Sequence, residues 1–400
     1  MQPPVRPRTT HAVIALGVTQ IIGWGTTFYL PALLSRPIAE ALSLPVPWVW
    51  GAYCWAMLIS GFLSRRIGAL IDRLGAAPLM SGASLITAFA LWVMASAGNG
   101  LTLWLAWTLI GLGMRAILYD GAFAALAALE GSGARRSISL LTLMGGLAST
   151  VFWPVSHLLL ETVGWRDTLL IYAALNIAVC APLHYFFAGC VRQDAPRQQV
   201  SPSGADDSSS ATPRVRPELA VVLIATAFAF HAFIWSSLAV HMPALLQGFG
   251  LTAALAVAVA SMLGPAQVVS RSAELFAQRW LSPLSLTVPV FAMLPISLVP
   301  LSLPGDPLIL ASVFVLSYGL SNGLLTILRG TLPLTIIGSR GYGELLGRIA
   351  GPALVVSALS PLVFGQILET WGPRVGIGFL FGAGLASTAT AAALIRLARR

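Results

Sequence analysis

The sequence predicts an all-α integral membrane protein, with twelve transmembrane helices in two pseudo-symmetric six-helix halves. Three observations predict it. Apolar stretches of about twenty residues recur along the chain, each long enough to cross roughly 30 Å of hydrocarbon as a helix. Only 9% of residues are charged against 57% hydrophobic, with a mean hydropathy of +0.83. A soluble protein could not cover its surface with so few charges. Short patterns of the first half also recur in the second. Continuous runs rich in Leu, Ala and Gly favour helices over a barrel, whose strands would alternate polar and apolar positions.

In chain order, helix 1 is expected over His11–Leu34 and helix 2 over Pro47–Ile67. Helices 3 to 6 follow at Pro78–Ala97, Leu101–Leu129, Ile138–Leu160 and Arg166–Phe187. The stretch Arg192–Pro217 is polar and rich in Ser, Pro and Arg, so it reads as a flexible linker. Helices 7 to 12 are expected at Glu218–Leu246, Thr252–Leu275, Pro283–Leu303, Pro307–Leu334, Glu344–Leu368 and Pro373–Leu397. This gives an N-terminal bundle (1–191), a cytoplasmic linker (192–217) and a C-terminal bundle (218–400).

The net charge of +9 is not a nucleic-acid footprint. All 23 basic residues are Arg, and most fall in segments on one side of the predicted spans. Arg6, Arg8, Arg65, Arg66, Arg73, Arg135, Arg136, Arg271, Arg279, Arg340, Arg348 and the linker and C-terminal arginines share that side; Arg36, Arg166 and Arg374 hold the other. The positive-inside rule then places both termini in the cytoplasm of a multi-pass protein of the cell (inner) membrane. The first apolar segment is too long for a cleavable signal and is expected to stay as helix 1. Cys54, Cys180 and Cys190 have no metal-ligand or redox spacing.

The halves echo each other. Leu160-Glu161-Thr162-Val163-Gly164-Trp165-Arg166 recurs as Leu368-Glu369-Thr370-Trp371-Gly372-Pro373-Arg374. Pro31-Ala32-Leu33-Leu34 recurs as Pro243-Ala244-Leu245-Leu246, and Ser64-Arg65 with Arg73 recurs as Ser270-Arg271 with Arg279. The order and spacing of the matches point to two parallel six-helix repeats.

Between helices 2 and 3, Gly68-Ala69-Leu70-Ile71-Asp72-Arg73-Leu74-Gly75 reads Gly-x-x-x-Asp-Arg-x-Gly. This resembles the signature loop of the major facilitator superfamily of secondary transporters. The resemblance implies the fold of that superfamily, alternating access, and a central cavity lined by helices 1, 4, 7 and 10. It also implies that Gly68, Asp72, Arg73 and Gly75 form a conformational latch between the halves. A carboxylate at Asp72 can accept hydrogen bonds from a neighbouring helix N-terminus and pair with Arg. The usual basic pair after the last glycine is replaced by Ala76-Ala77, for which Arg65 and Arg66 can substitute. Trp107 stands where the family has an Arg in helix 4, and helix 5 has Gly145-Gly146 and Trp153-Pro154 without the full antiporter motif.

Polar groups inside spans are costly, about 3 kcal/mol for a charge near the bilayer centre, and mark cavities or partners. Helix 1 offers Gln20 and Trp24; helix 4 offers Arg115, Tyr119 and Asp120; helix 7 offers His231 and Trp235; helix 10 offers Asn322 and Arg329. Gln20, Trp24, Arg115, Tyr119, His231, Trp235 and Asn322 are the expected cavity residues. On a continuous helix, Arg115 and Asp120 would point about 140° apart and would not neutralise each other. Asp120 and Arg329 occupy nearly corresponding places in the repeat and are expected to pair, acting in gating or proton coupling. Structural readings stand beside these: His231 as a satisfied core histidine, Asn322 as a helix–helix bond, the tryptophans as packing.

No nucleophile elbow, phosphate-binding loop or metal-ligand cluster occurs, so neither an enzyme nor a cofactor or metal is expected. The opening TQIIGWGTTFYLPALL, followed by WVWGAYCWAMLISGFLSRRIGALIDRLG, resembles the monocarboxylate and oxalate–formate branch. The leading expectation is a monomeric, proton-coupled carrier of a small organic anion such as a carboxylate. Its expected partners are the substrate, a proton or other coupling ion, and the lipid bilayer. The alternatives are efflux of a neutral, drug-like or toxic compound, and a membrane sensor or scaffold on a transporter fold.

Overall fold

The computed structural model describes residues 7–187 and 217–399. The expectations for the 192–216 linker, Arg6, Cys190 and Arg400 fall outside those residues. Among the described residues the chain is helical, without strands. The first half comprises α1 (Thr10–Ala41), α2 (Val46–Leu74), α3 (Ala76–Ala95), α4 (Gly100–Glu130), α5 (Arg135–Thr162) and α6 (Gly164–Phe187). The second comprises α7 (Pro217–Gly248), α8 (Ala254–Ala277), α9 (Pro283–Ser302), α10 (Pro307–Ile336) and a last apolar stretch, Tyr342–Ala398. That stretch folds at Gly372 (φ 79°, ψ 175°) into α11 (342–371) and α12 (373–398), which completes twelve spans. Residues 10, 187, 217 and 398 therefore lie on one side, the terminal side.

Local chemistry sets the helix ends. Asn99 Oδ1 accepts from Thr102 N at 3.0 Å to open α4, and Asp306 Oδ1 accepts from Leu308 N at 2.8 Å to open α10. Ser282 and Ser285 form a reciprocal capping box at α9. Gly164 and Gly372, the glycines of the repeated motif, both take a positive φ, 80° and 79°, which favours glycine.

In hydrocarbon every backbone carbonyl needs a partner. Prolines inside helices remove one, and neighbouring hydroxyls replace it. Pro361 cannot donate to Ser357 O, and Ser236 Oγ from α7 does so at 2.6 Å. Pro295 likewise frees Phe291 O, which accepts from Thr388 Oγ1 of α12 at 2.9 Å. These bonds tie α7 to α11 and α9 to α12 within the C-terminal half.

Between the halves, α2 runs against α11 and α5 against α8. The α2–α11 approach is backbone to backbone. A Cβ on Gly68 would stand 2.0 Å from Gly343 O, and one on Gly347 would stand 2.4 Å from Ser64 O. The two apolar cores comprise a smaller cluster, in the N-terminal half apart from Ala358 of α11, and a larger one that joins residues of both halves.

Candidate functional site

The site is organised by a break in α4. Leu118 is extended (φ −85°, ψ −168°), dividing the span into Gly100–Ile117 and Tyr119–Glu130. Gly121 N bonds Leu118 O at 3.1 Å, so Ile117 O is released. Gln20 Nε2 of α1 takes up that carbonyl at 2.8 Å, and Trp24 Nε1 donates to Gln20 Oε1 at 3.2 Å. Gly121 is required where the chain doubles back, because its Cβ would fall 1.8 Å from Ala116 O.

The break corrects the expectation that Arg115 and Asp120 do not neutralise each other. The 140° separation assumed an unbroken helix. Here Arg115 Nη1 lies directly on Asp120 Oδ2, with side chains only 3% and 9% exposed. Arg329 Nη2 of α10 bonds the same oxygen, with a side chain 26% exposed. Two guanidiniums from opposite halves thus share one carboxylate oxygen.

A third guanidinium lies beside this group. Arg271 of α8 is buried and donates to Thr142 O at 3.0 Å, to Gln267 Oε1 at 3.1 Å and to Thr326 Oγ1 at 3.4 Å. Among the described residues no carboxylate lies within ion-pair distance of it, and its Nε has no partner. Tyr119 OH donates to the same Thr142 O at 3.3 Å. Gly145 and Gly146 make the room: a Cβ would stand 2.6 Å from Tyr119 OH at the first and 2.0 Å from Arg271 Nη1 at the second. The network continues through Thr326 Oγ1, which donates to Asn322 O at 2.9 Å. Asn322 Oδ1 in turn accepts from His231 Nε2 at 2.9 Å. Trp235, one turn along α7, packs against the core of the C-terminal half.

The signature motif lies at the terminal side, and it corrects the expectation of a loop after Ile67: Gly68–Leu74 continues α2 as helix, and only Gly75 leaves it. Asp72 Oδ1 and Oδ2 accept from Gly343 N and Glu344 N, at 2.9 and 2.8 Å. These are the first amides of α11, where the helix dipole favours an anion. Arg65 Nε pairs with Glu344 Oε1 at 2.8 Å, whereas Ala76 and Ala77 are buried. Gly75 (φ 86°) ends α2, and the exposed Arg73 takes no part in this clasp.

A second tie joins α5 to α8. Arg135 donates to Glu274 Oε1 at 2.8 Å and to Leu281 O at 2.6 Å. Ser139 Oγ and Gln278 Nε2 donate to Glu274 Oε2 at 2.8 and 3.0 Å. Together with Asp72, these bonds close the terminal side in this conformer. Buried polar groups are not confined to helices 1, 4, 7 and 10, on which the expected site residues lie: α8 contributes Arg271 and Glu274, and α6 contributes Asn176 and His184. Arg135 was expected as a loop charge and Arg271 as a charge of the terminal side at the end of helix 8, because position along the chain does not reveal that α5 and α8 cover them. The repetition of Ser64-Arg65 as Ser270-Arg271 was the available signal.

A model of the Major Facilitator Superfamily matches residues 15–341. The chain belongs to this superfamily. It is a secondary transporter of the lipid bilayer that binds a small-molecule substrate, not an enzyme. Solved structures that share its fold include two transporters. The human organic anion transporter MFSD10 (TETRAN) has a TM-score of 0.70 at 16% identity, covering 98% of this chain and 100% of that one. The proton:xylose symporter XylE bound to 6-bromo-6-deoxy-D-glucose has a TM-score of 0.67 at 11% identity, covering 95% of this chain and 94% of that one. No curated protein sequence matches.

Proposed function

We propose that the chain moves a small organic anion, such as a carboxylate, by alternating access coupled to protons. The observation that carries this reading is the imbalance of charge: Arg115 and Arg329 share the carboxylate of Asp120, and the buried Arg271, tied to Thr142, Gln267 and Thr326, has no carboxylate among the described residues. Buried guanidiniums without counter-charges are expensive, and an entering anion supplies one. The bound anion competes with Asp120 for Arg329, whose contact crosses between the halves. Asp120, released from its arginines, is the proton site, and the Asp72 clasp is the latch. The Arg asymmetry supports cytoplasmic termini at the inner membrane, with the terminal side facing the cytoplasm. We read the monomer as the working unit. The likeness to the human organic anion transporter carries the fold alone.

The test is uptake of radiolabelled carboxylates into proteoliposomes, with and without an imposed pH gradient. Uptake that the gradient drives and that Arg271→Gln lowers at least tenfold is expected. Carboxylate uptake indifferent to Arg271→Gln refutes the anion site; uptake indifferent to the gradient refutes the coupling.

A further inference from the structure

The cationic group has an aromatic neighbour on α1. Residues Trp24–Phe28 form a π-turn, in which Tyr29 N donates to Trp24 O at 2.9 Å. Such wide turns are rare and cluster at functional sites. This one brings residues five apart onto one face, so Trp24, Phe28 and Tyr29 converge. Trp24 lies 5.0 Å from Phe28 edge to face, and 6.2 Å from Tyr29. Gly25 holds the turn against α5, because a Cβ there would stand 2.0 Å from the ring of Phe152.

The same tryptophan lies 5.0 Å from the ring of Tyr119, the residue preceding Asp120. Tyr119 shares its acceptor, Thr142 O, with Arg271. The aromatic face and the guanidiniums therefore meet at Tyr119. The polar atoms of Trp24 and Tyr119 are already committed, to Gln20 and Thr142, so these rings offer π-faces and edges. Trp24, Phe28 and Tyr29 remain only half-buried, although the turn lies near the middle of α1. Fixed, tilted rings favour a further ring in edge or offset contact over an aliphatic chain.

We infer that the transported anion carries an aromatic ring: the site takes an aryl carboxylate, with its carboxylate on Arg271 and Arg329 and its ring on Trp24. This rests on the anion reading above and narrows it. Trp24 is then the specificity-determining residue.

The test is calorimetric titration of the purified full chain with benzoate, cyclohexanecarboxylate, acetate, succinate and benzyl alcohol. Benzoate is expected to bind at least tenfold more tightly than each of the others. That preference should fall towards unity in Trp24→Leu and persist in Trp24→Phe, which keeps a ring. Phe28→Leu, expected to reduce the preference partially, serves if Trp24→Leu does not fold. Acetate or succinate binding as tightly as benzoate overturns the aromatic site and leaves the anion reading standing. Cyclohexanecarboxylate equal to benzoate overturns the ring preference in the same way. Benzyl alcohol equal to benzoate overturns the anion reading and this proposal with it. Absence of binding by all five overturns both.

Discussion

Replacing Asp120 with Asn keeps the shape of the side chain and removes the carboxylate that Arg115 and Arg329 share. Removing one partner of a buried ion pair costs about 3–5 kcal/mol, because a charge is left uncompensated. Here two charges are left, facing each other from opposite halves, so the upper part of that range is expected. Arg329→Gln leaves a neutral Arg115–Asp120 pair, and its side chain is already a quarter exposed. Its cost is that of one charged hydrogen bond, about 1.5–3 kcal/mol. The double variant relieves the repulsion and should be less damaged than the two losses added together. Exchanging the charges, Asp120→Arg with Arg329→Asp, should not rescue, because the new guanidinium would face Arg115. The thiol of Cys180, 1% exposed, reports unfolding in detergent once Cys54 and Cys190 are changed to Ser. Formate should restore part of the stability of Asp120→Asn, where chloride at matched ionic strength does not. An Asp120→Asn protein as stable as Arg329→Gln, or full recovery in the charge exchange, would refute the shared-carboxylate account.

Asp72→Asn removes the charge and one of two acceptor oxygens at the start of α11. The loss of about 1–2 kcal/mol shifts the closed-to-open ratio roughly 5- to 30-fold. A cysteine at Ser64, buried where α2 meets α11, should then react that much faster with a soluble maleimide; unchanged reactivity would remove Asp72 from the latch. Gly146→Ala places a methyl where Arg271 Nη1 now lies, and this flexible end can swing away. Folding should change by less than about 1 kcal/mol while carboxylate uptake falls at least tenfold, and retained uptake would show that the position of Arg271 does not matter.

Much of the architecture was legible because hydrocarbon leaves few options. Span length follows from bilayer thickness, and the repeated Leu-Glu-Thr motif is read directly from the covalent sequence. The pairing of Asp120 with Arg329 was legible too, through the repeat register. The Arg115–Asp120 contact was not, because projection onto a helical wheel assumes that the helix continues. The break at Leu118 is signalled by no proline, and only Gly121 nearby hints at it. Nor did the sequence reveal Arg271 and Glu274 as interior residues. Their burial depends on how α5 and α8 cover each other, a tertiary fact that neither helix carries alone. The π-turn at Trp24 is hidden for the same reason, since Gly25 matters only when Phe152 is known to press on it.

The clasp at Asp72 also has a genetic consequence. Arg135 and Glu274 are both encoded side chains, so a change in one can be answered by a change in the other. Asp72 instead bonds peptide amides at positions 343 and 344, which persist whatever residue other than proline is encoded there. No substitution of its partner can rebuild what Asp72→Asn removes. Suppressors must restore the balance between conformers from elsewhere, chiefly by weakening contacts made only when the terminal side is open. Selecting for transport from an Asp72→Asn background should therefore mark out the interface of the opposite conformer, position by position.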